Sequence, residues 1–174
     1  METKERNADR AGPPEERSVR LPGNRLVTTR VAAERTGWAY SLFEVEVGVG
    51  GAEGPHVQHR EDECLYVLEG RFGLSVEGVA SEAGPGTHVY VPKGVLHAYE
   101  NVGDRTGRLL VVHTPGGSQE SFLAAAGELA DGLVDGLADG LAGRPGGDGR
   151  GFALIAAEHG IEICGATEKT ERSF

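Results

Sequence analysis

The chain has only two cysteines, Cys64 and Cys164, and they lie far apart in sequence. Their spacing matches no zinc-binding motif, so we expect two free thiols, as is usual in a reducing compartment. No run of about 18 apolar residues is present, which argues against a membrane-spanning helix. The N-terminal stretch METKERNADR also lacks the apolar core of a secretory signal. We therefore expect a cytoplasmic protein with no membrane partner.

Basic residues are outnumbered, with 17 Lys and Arg against 27 Asp and Glu, and the formal net charge is -10. Because such a chain repels phosphate, a nucleic-acid partner is not expected. Aromatic residues are scarce at 6%, whereas glycine is abundant at 28 residues. Frequent glycines favour short strands joined by tight turns. The length of 174 residues suits one domain with a single core.

Short alternating segments run through the middle of the chain. In Phe43–Val47 the apolar side chains alternate with glutamates, which is typical of a strand that covers a core with one face. Gly70 lies between two such segments and predicts a hairpin turn. The predicted strands are 25–31, 39–47, 64–68, 71–77, 87–91 and 109–113. Many short strands at this spacing indicate an all-β barrel or sandwich, and a jelly roll is the natural candidate.

The two ends of the chain differ from this middle part. Residues 1–17 are charged and have no hydrophobic period, so we predict a disordered tail there. We assign residues 18–117 to the barrel and residues 118–174 to a helical C-terminal extension with a glycine-rich linker.

Within the extension, residues 118–129 and 151–159 have helical composition. Ser118 is the predicted N-cap of the first helix, and Gly160 the predicted stop of the second. An Asp-Gly-Leu repeat occupies residues 131–141. Each glycine costs a helix about 1 kcal/mol relative to alanine, so we predict a frayed amphipathic helix or a flexible insertion at the repeat.

Four polar residues are candidate metal ligands. His56 and Gln58 lie two apart and share one face of a strand, while His59 faces the other side. Glu63 starts the next strand after a polar turn, and His97 arrives from a later strand. Two inward imidazoles and a carboxylate supply the nitrogen and oxygen donors that a first-row divalent metal needs, in the composition of the non-haem iron facial triad.

Gln58 leaves several interpretations open. Its side-chain oxygen can coordinate a metal, although an amide is a weaker donor than an imidazole. Alternatively, Gln58 hydrogen-bonds a substrate or a bound water. His59 would take its place as a ligand if a bulge reversed the parity of the strand. A barrel that has lost its metal and keeps polar residues in its pocket is a further alternative.

Two other residues have assigned positions. Tyr99 lies two residues from His97 and should point inward, where it could donate a proton, orient a substrate or simply pack. His113 closes a strand, where it could reach the mouth of the barrel, but we predict it at the surface. Of these two residues, only Tyr99 joins Glu63 as a catalytic candidate.

Two stretches resemble the paired motif of the cupin superfamily. Residues 50–70 read GGAEGPHVQHREDECLYVLEG, and residues 86–101 read GTHVYVPKGVLHAYEN. The matching positions are Gly50, His56, Glu63, Gly70, Gly86, Pro92, Gly94, His97 and Asn101. Gln58 stands where the pattern has its second histidine.

The chain looks like a single-domain cupin of the quercetin 2,3-dioxygenase-like group. The resemblance implies a double-stranded β-helix jelly-roll barrel, commonly a homodimer, that binds a divalent transition metal such as Fe, Ni, Mn, Cu or Zn. It implies metal ligands at His56, Glu63 and His97, with Gln58 as the fourth position, and a ligand or base role for Glu63.

The implied function is a metal-dependent, dioxygenase-like enzyme acting on a small polyketide- or flavonoid-like substrate of secondary metabolism. A glutamine ligand occurs in phosphomannose isomerase, another family of this fold, so Gln58 is compatible with a metal. Since an amide is a weaker donor than an imidazole, Gln58 also strengthens a redox-neutral alternative, a cyclase or isomerase. A metabolite-binding protein without turnover is the third possibility.

Overall fold

The computed structural model describes residues 17–134 and 150–164. Its strands are β1 (Arg17–Leu21), β2 (Arg25–Val31), β3 (Ser41–Val47), β4 (Ala52–Gln58), β5 (Asp62–Glu69), β6 (Phe72–Val76), β7 (Val79–Ala83), β8 (His88–Val91), β9 (Leu96–Asn101), β10 (Gly107–Thr114) and β11 (Ile161–Ile163). The helices are α1 (Ser118–Val134) and α2 (Arg150–Glu158), and a 3-10 turn covers Ala33–Thr36. Residues 1–16, most of the predicted disordered tail, lie outside the described residues, and Arg17 already belongs to β1.

The strands form two antiparallel sheets. One has the order β1-β2-β3-β10-β5-β8, and the other β11-β4-β9-β6-β7. The prediction of an all-β jelly roll with a C-terminal helical extension is confirmed. None of the described helices is both long and apolar enough to cross a bilayer.

The core lies between the two sheets, as the alternation in β3 predicts. Phe43, Val45 and Val47 are buried, whereas Glu44 on the opposite face pairs with Arg30 and Arg108. Burial of apolar side chains contributes roughly 25 cal/mol per Å² of apolar surface removed from water. The large buried apolar residues from the two sheets include Phe43, Phe72, Leu65, Leu74, Leu109 and Tyr99.

The turn at Gly70 is not a hairpin. β5 belongs to the first sheet and β6 to the second, so this turn carries the chain from one sheet to the other. Gly70 has φ 92°, and a Cβ there would lie 2.8 Å from the Cα of Gly107, so the position needs glycine. The hairpin is instead formed by β6 and β7, whose turn residues Glu77 and Gly78 both have positive φ. A local turn signal shows that the chain reverses, but not which strand it pairs with.

Strands β1 and β7 are among those that lie outside the six segments predicted from alternation. Both are at sheet edges, and most of their residues are exposed. Because neither strand has a fully buried face, its sequence carries no alternating apolar pattern.

The C-terminal extension returns to the barrel beside β4. β11 pairs with β4, so that Ile161 lies opposite Gln58 and Ile163 opposite His56. Gly160 ends α2 with φ 77°, as predicted. Beyond Val134, the Asp-Gly-Leu repeat lies outside the described residues, as does the linker before Arg150.

The start of α1 is capped by a carboxylate from the barrel. Glu61, in the loop between β4 and β5, accepts hydrogen bonds from the backbone N–H groups of Ser118 and Gln119, at 2.6 and 3.0 Å. The prediction of Ser118 as the side-chain cap is therefore wrong, since its hydroxyl donates to the His159 carbonyl at 2.6 Å. A capping pattern read along the chain cannot reveal a carboxylate that arrives from a distant loop.

The side-chain hydrogen bonds of Asn101 predict that this residue contributes measurably to the stability of the fold. Its side-chain nitrogen donates to the carbonyls of Val47 and Arg105, both at 2.8 Å, and its oxygen accepts the Gly103 N–H at 2.9 Å. Asn101→Asp keeps the shape but sets a carboxylate against those carbonyl oxygens. We expect a loss of about 3 kcal/mol in the free energy of unfolding, measured by urea denaturation. The exposed neighbour Glu100, changed to Gln, is the control and should shift stability by less than about 0.5 kcal/mol; equal effects of the two changes would contradict the prediction.

Candidate metal centre

The four predicted ligand residues come together between the two sheets. His56 and Gln58 lie on β4, His97 on β9 and Glu63 on β5 of the facing sheet. His56 and His97 are directly opposite each other in the pairing of β4 with β9. All four side chains are buried. One ligand atom each from His56, Glu63 and His97 lies within 4.8 Å of the others.

Backbone carbonyls orient both imidazole rings. The Nδ1 atom of His56 is 3.0 Å from the Gly54 carbonyl, and that of His97 is 2.9 Å from the Val95 carbonyl. A carbonyl only accepts hydrogen bonds, so each Nδ1 carries the proton. When neutral, each ring therefore keeps its lone pair on Nε2, whereas protonated His97 donates from Nε2 to Glu63. Such carbonyl contacts to the remote nitrogen are the usual support of a metal-bound histidine.

The Nε2 atom of His56 is buried and has no hydrogen-bond partner. Leaving a buried polar atom without a partner costs about 1–3 kcal/mol. The two imidazole centroids are 4.1 Å apart, so the orphaned nitrogen lies beside the His97 ring. A divalent cation placed among the three donors would satisfy this nitrogen, which makes the residue set fit a metal.

Glu63 is the only carboxylate of this three-residue cluster, and two neighbours hold it. Its Oε2 atom accepts a hydrogen bond from Gln58 Nε2 at 2.6 Å and lies 3.3 Å from His97 Nε2. Burial acts to raise the pKa of Glu63, but the His97 hydrogen bond and the charges of His113 and His97 hold it below its ordinary value. Burial opposes protonation of His97, yet the Glu63 carboxylate raises its pKa. The centre is thus built to keep a buried negative charge.

His59 lies outside this centre. It is 50% exposed, and its Nε2 atom contacts a carboxylate oxygen of Glu162 at 3.0 Å. β4 does contain a register shift, but the shift lies between Glu53 and His56, before the candidate ligands. Regular alternation therefore holds from His56 onward, and the alternative that puts His59 into the ligand position is not what the structure has.

Tyr99 points inward, as predicted, and contacts Arg25, a residue that no motif in the sequence marks as functional. Its hydroxyl accepts a hydrogen bond from Arg25 Nη1 at 3.4 Å, and its ring packs edge-to-face on Phe72. Burial raises the pKa of Tyr99 far above its usual range, so the phenol stays protonated.

Arg25 and Glu53 form an ion pair beside the centre, with Nη1 and Oε1 2.6 Å apart. Sequence reasoning missed both residues. Alternation from His56 would turn Glu53 outward, and only the register shift between these two residues brings both to the same cavity. No motif marks Arg25, which opens β2 as an ordinary charged residue before an apolar run.

His113 is not at the surface, and that prediction is wrong. The residue is buried, its ring meets Phe43 edge-to-face at 5.5 Å, and its Nδ1 atom is 3.6 Å from a carboxylate oxygen of Glu61. Burial lowers the pKa of His113. The error arises because β10 is a central strand between β3 and β5, so the core-facing side chain of His113 is covered although it lies near the end of the strand. In the pairing of β10 with β5, His113 lies opposite Glu63.

A cavity of about 360 Å³ opens beside β4. His56 and Gln58 form part of its wall, together with the Arg25–Glu53 pair. The C-terminal extension supplies the facing wall. The lining residues from the extension are Gln119, Phe122, Phe152, Ile161 and Ile163.

Comparison with known proteins identifies the family. Residues 43–113 match the cupin domain, and this span contains all four predicted ligand residues. Proteins of that superfamily also share the two-sheet fold found here. The chain belongs to the cupin superfamily.

The individual proteins that resemble this chain share about a third of its residues or fewer over the aligned regions. The uncharacterized protein SCO3923 of Streptomyces coelicolor is 32% identical over 74 residues, which span 42% of this chain and 67% of that one. The structure of KdgF from Halomonas sp. aligns with a TM-score of 0.56 at 17% identity, covering 63% of this chain and 99% of that chain, and shows the shared fold. The polyketide cyclase RemF from Streptomyces resistomycificus aligns with a TM-score of 0.50 at 30% identity, covering 58% of this chain and 75% of that chain.

Because of the Arg25–Glu53 ion pair, we expect the free energy of unfolding to decrease as the pH falls into the acid range. Burial acts to raise the pKa of Glu53, but Arg25 dominates and lowers it from 4.5 to about 2. A carboxyl group whose pKa is depressed on folding stabilises the protein above its unfolded pKa, and this stabilisation disappears as the pH falls toward the folded pKa. The pair should therefore contribute about 3 kcal/mol at pH 7.

Urea denaturation of Glu53→Gln and the natural chain at pH 7 and pH 3 tests this contribution. The difference in unfolding free energy between the two proteins should be about 2 kcal/mol smaller at pH 3. Glu82, whose carboxylate forms an exposed pair with Arg71, provides the control variant Glu82→Gln. An equal pH response in both variants would show that Glu53 carries no special charge.

Proposed function

We propose that this cupin is a metal-dependent enzyme that catalyses redox-neutral enolisation and ring closure of a small polyketide-like substrate. The observation that carries the proposal is the buried cluster of His56, Glu63 and His97, of which His56 also lines the cavity. In this assignment the three residues hold a divalent transition metal, with Fe, Ni, Mn, Cu and Zn as the candidate ions. A metal bound there would act as a Lewis acid toward a substrate carbonyl.

Glu63 is the proposed base; its neighbours His56 and Gln58 line the cavity, while Glu63, like Tyr99, is not among the described lining residues. Its carboxylate is kept ionised by the neighbouring imidazoles, and a carboxylate at the reacting carbon can remove a proton next to a carbonyl group. The hydrogen bond from Gln58 fixes the orientation of that carboxylate. We therefore give Gln58 a positioning role through Glu63; its role as a fourth metal ligand stays a prediction.

Tyr99 is the second catalytic candidate from the sequence. Its protonated phenol faces Arg25, which lines the cavity, while Tyr99 is not among the described residues that do so. The contact supports a role in holding Arg25 in place. Direct proton donation by Tyr99 stays a prediction.

The likeness to RemF supports a cyclase over other reactions of the fold. RemF is a polyketide cyclase, and it matches this chain at 30% identity. The replacement of an imidazole by the Gln58 amide points the same way, since a weaker donor alters the redox potential of a bound metal. The homodimer implied by the resemblance also belongs to this proposal.

A dioxygenase-like activity is the second candidate. One observation favours it, since two histidines and one carboxylate are the donor set of non-haem iron oxygenases. A third possibility, metabolite binding without turnover, uses the same cavity and needs no base.

Metal content tests the ligand assignment. We expect about one transition metal per chain in purified protein, measured by inductively coupled plasma mass spectrometry. His97→Asn and Glu63→Gln should each lower the affinity for Zn²⁺ at least tenfold in a competition assay with a fluorescent chelator, because each removes a donor.

His59→Asn is the matched control for the metal assay, since it removes an imidazole that lies outside the centre. Its affinity for Zn²⁺ should equal that of the natural chain. If His97→Asn also bound Zn²⁺ as tightly as the natural chain, the cluster would not be the metal site.

Oxygen consumption separates the two reactions. With a poly-β-ketone substrate, the proposal predicts a product formed with loss of water and no uptake of dioxygen at an oxygen electrode; a flavonol probes the dioxygenase alternative. Glu63→Gln should lower kcat by at least a hundredfold, because it removes the base. Stoichiometric dioxygen uptake would establish the dioxygenase instead, and full activity of Glu63→Gln would overturn the mechanism.

A further inference from the structure

The cavity is incomplete without the C-terminal extension. The barrel strands contribute the polar wall, which includes Arg25, Glu53 and His56. The apolar wall comes from helices α1 and α2 and from strand β11. The extension therefore forms part of the binding site that the proposed function requires.

Contacts at the start of α1 and along β11 hold this wall in a defined position. Glu61, two residues before Glu63, caps the start of α1. The Ser118 hydroxyl ties that same start to the end of α2 through the His159 carbonyl. β11 pairs with β4, the strand that carries His56. The Glu61 cap and the β11–β4 pairing thus fix the wall relative to the candidate metal centre, and the Ser118 contact joins the two helices within the wall.

A polar atom without a partner marks the cavity side of α1. Gln119 is only 9% exposed and lines the cavity, yet its side-chain oxygen has no hydrogen-bond partner. Its backbone N–H bonds to Glu61, so the role of the side chain is separate from the helix cap. A buried acceptor of this kind is costly to leave empty, and a hydroxyl group of a ligand would satisfy it.

The charges around the cavity balance. The Arg25 guanidinium is paired with Glu53 and also bonds the Pro22 carbonyl through Nε, at 3.1 Å. These two are the charged side chains among the described lining residues, histidine aside, and they cancel. Apart from the proposed metal, the lining side chains therefore offer no net charge to a ligand, which favours a ligand that is neutral where it contacts them.

The facing wall suits a ring. Phe122 and Phe152 pack edge-to-face with centroids 5.3 Å apart, and Ile161 lies on the same wall. Ligand cavities span about 300–1,000 Å³, so a cavity of about 360 Å³ is at the small end and suits one or two fused rings.

We infer that Gln119 is a specificity-determining residue that accepts a hydrogen bond from a hydroxyl group of a neutral mono- or bicyclic substrate, held against Phe122 and Phe152. This inference rests on the proposed function, because it names the substrate class of the same site. It adds a recognition element outside the cupin motif, in the extension.

A matched pair of probes tests the role of Gln119. 2-Naphthol carries the hydroxyl donor, and 2-methoxynaphthalene has the same rings and oxygen without the donor. Isothermal titration calorimetry should be carried out on the full chain, once loaded with Zn²⁺ and once freed of metal with a chelator. In both forms, 2-naphthol should bind about tenfold more tightly than 2-methoxynaphthalene, a difference of about 1.4 kcal/mol in binding free energy. Using the metal-free chain removes direct coordination of the naphthol oxygen as an explanation.

Gln119→Met keeps the length of the side chain and removes the acceptor. This variant should bind 2-naphthol about tenfold more weakly and 2-methoxynaphthalene unchanged, so that the preference disappears. Glu128→Met, at an exposed position of the same helix, is the control and should leave both affinities unchanged. Phe152→Ala should weaken both probes equally, since it removes ring contacts alone.

Each outcome decides between the proposals. Equal affinity of the natural chain for the two probes, or a preference that survives in Gln119→Met, would overturn the role of Gln119. Absence of binding of either probe up to 1 mM would overturn the ring-shaped substrate class. A chain that holds no metal but keeps the Gln119-dependent preference would refute the proposed function alone. A chain that holds metal without the preference would refute this inference alone.

Discussion

The rest of the site depends on the burial of the Glu63 carboxylate between the two sheets. An uncompensated charge in a protein interior costs several kcal/mol, so the neighbours of Glu63 must supply hydrogen bonds and positive charge. Gln58 and His97 do so in the described structure, and His56 adds a nitrogen without a partner. A cation among these groups would complete the compensation, which is why a buried negative centre and a metal-binding role arise from the same arrangement.

The loop between β4 and β5 links this centre to the cavity. Within a few residues it carries Glu61, which caps α1, and leads into Glu63. One carboxylate therefore positions the C-terminal wall while the other sits among the candidate ligands. A change in this loop would move both parts of the site together, which ties substrate recognition to the metal centre.

Gln58 has a definite partner in the structure. Its amide donates to Glu63, so the departure from the cupin motif still serves the centre by orienting the carboxylate. With an amide in place of an imidazole, His56, Glu63 and His97 are the described residues grouped so that they could hold a metal. The proposed redox-neutral chemistry at a carbonyl group rests on this donor set, on the likeness to RemF and on the cavity beside β4.

The sequence by itself determined the all-β fold, because side-chain alternation and turn glycines act locally, and the resemblance to the paired cupin motif predicted that His56, Gln58, Glu63 and His97 converge. It failed at Gly70, Ser118 and His113, where the outcome depends on which strand or loop lies alongside. Only the tertiary structure brought Arg25, Glu53, Gln119 and Phe152 to one cavity. These residues lie on separate elements, joined by a register shift in β4 and by the return of the C-terminal extension to the barrel. No period along the chain encodes such long-range contacts, so the motif of candidate metal ligands was readable from the sequence, while the cavity wall formed by the C-terminal extension was not.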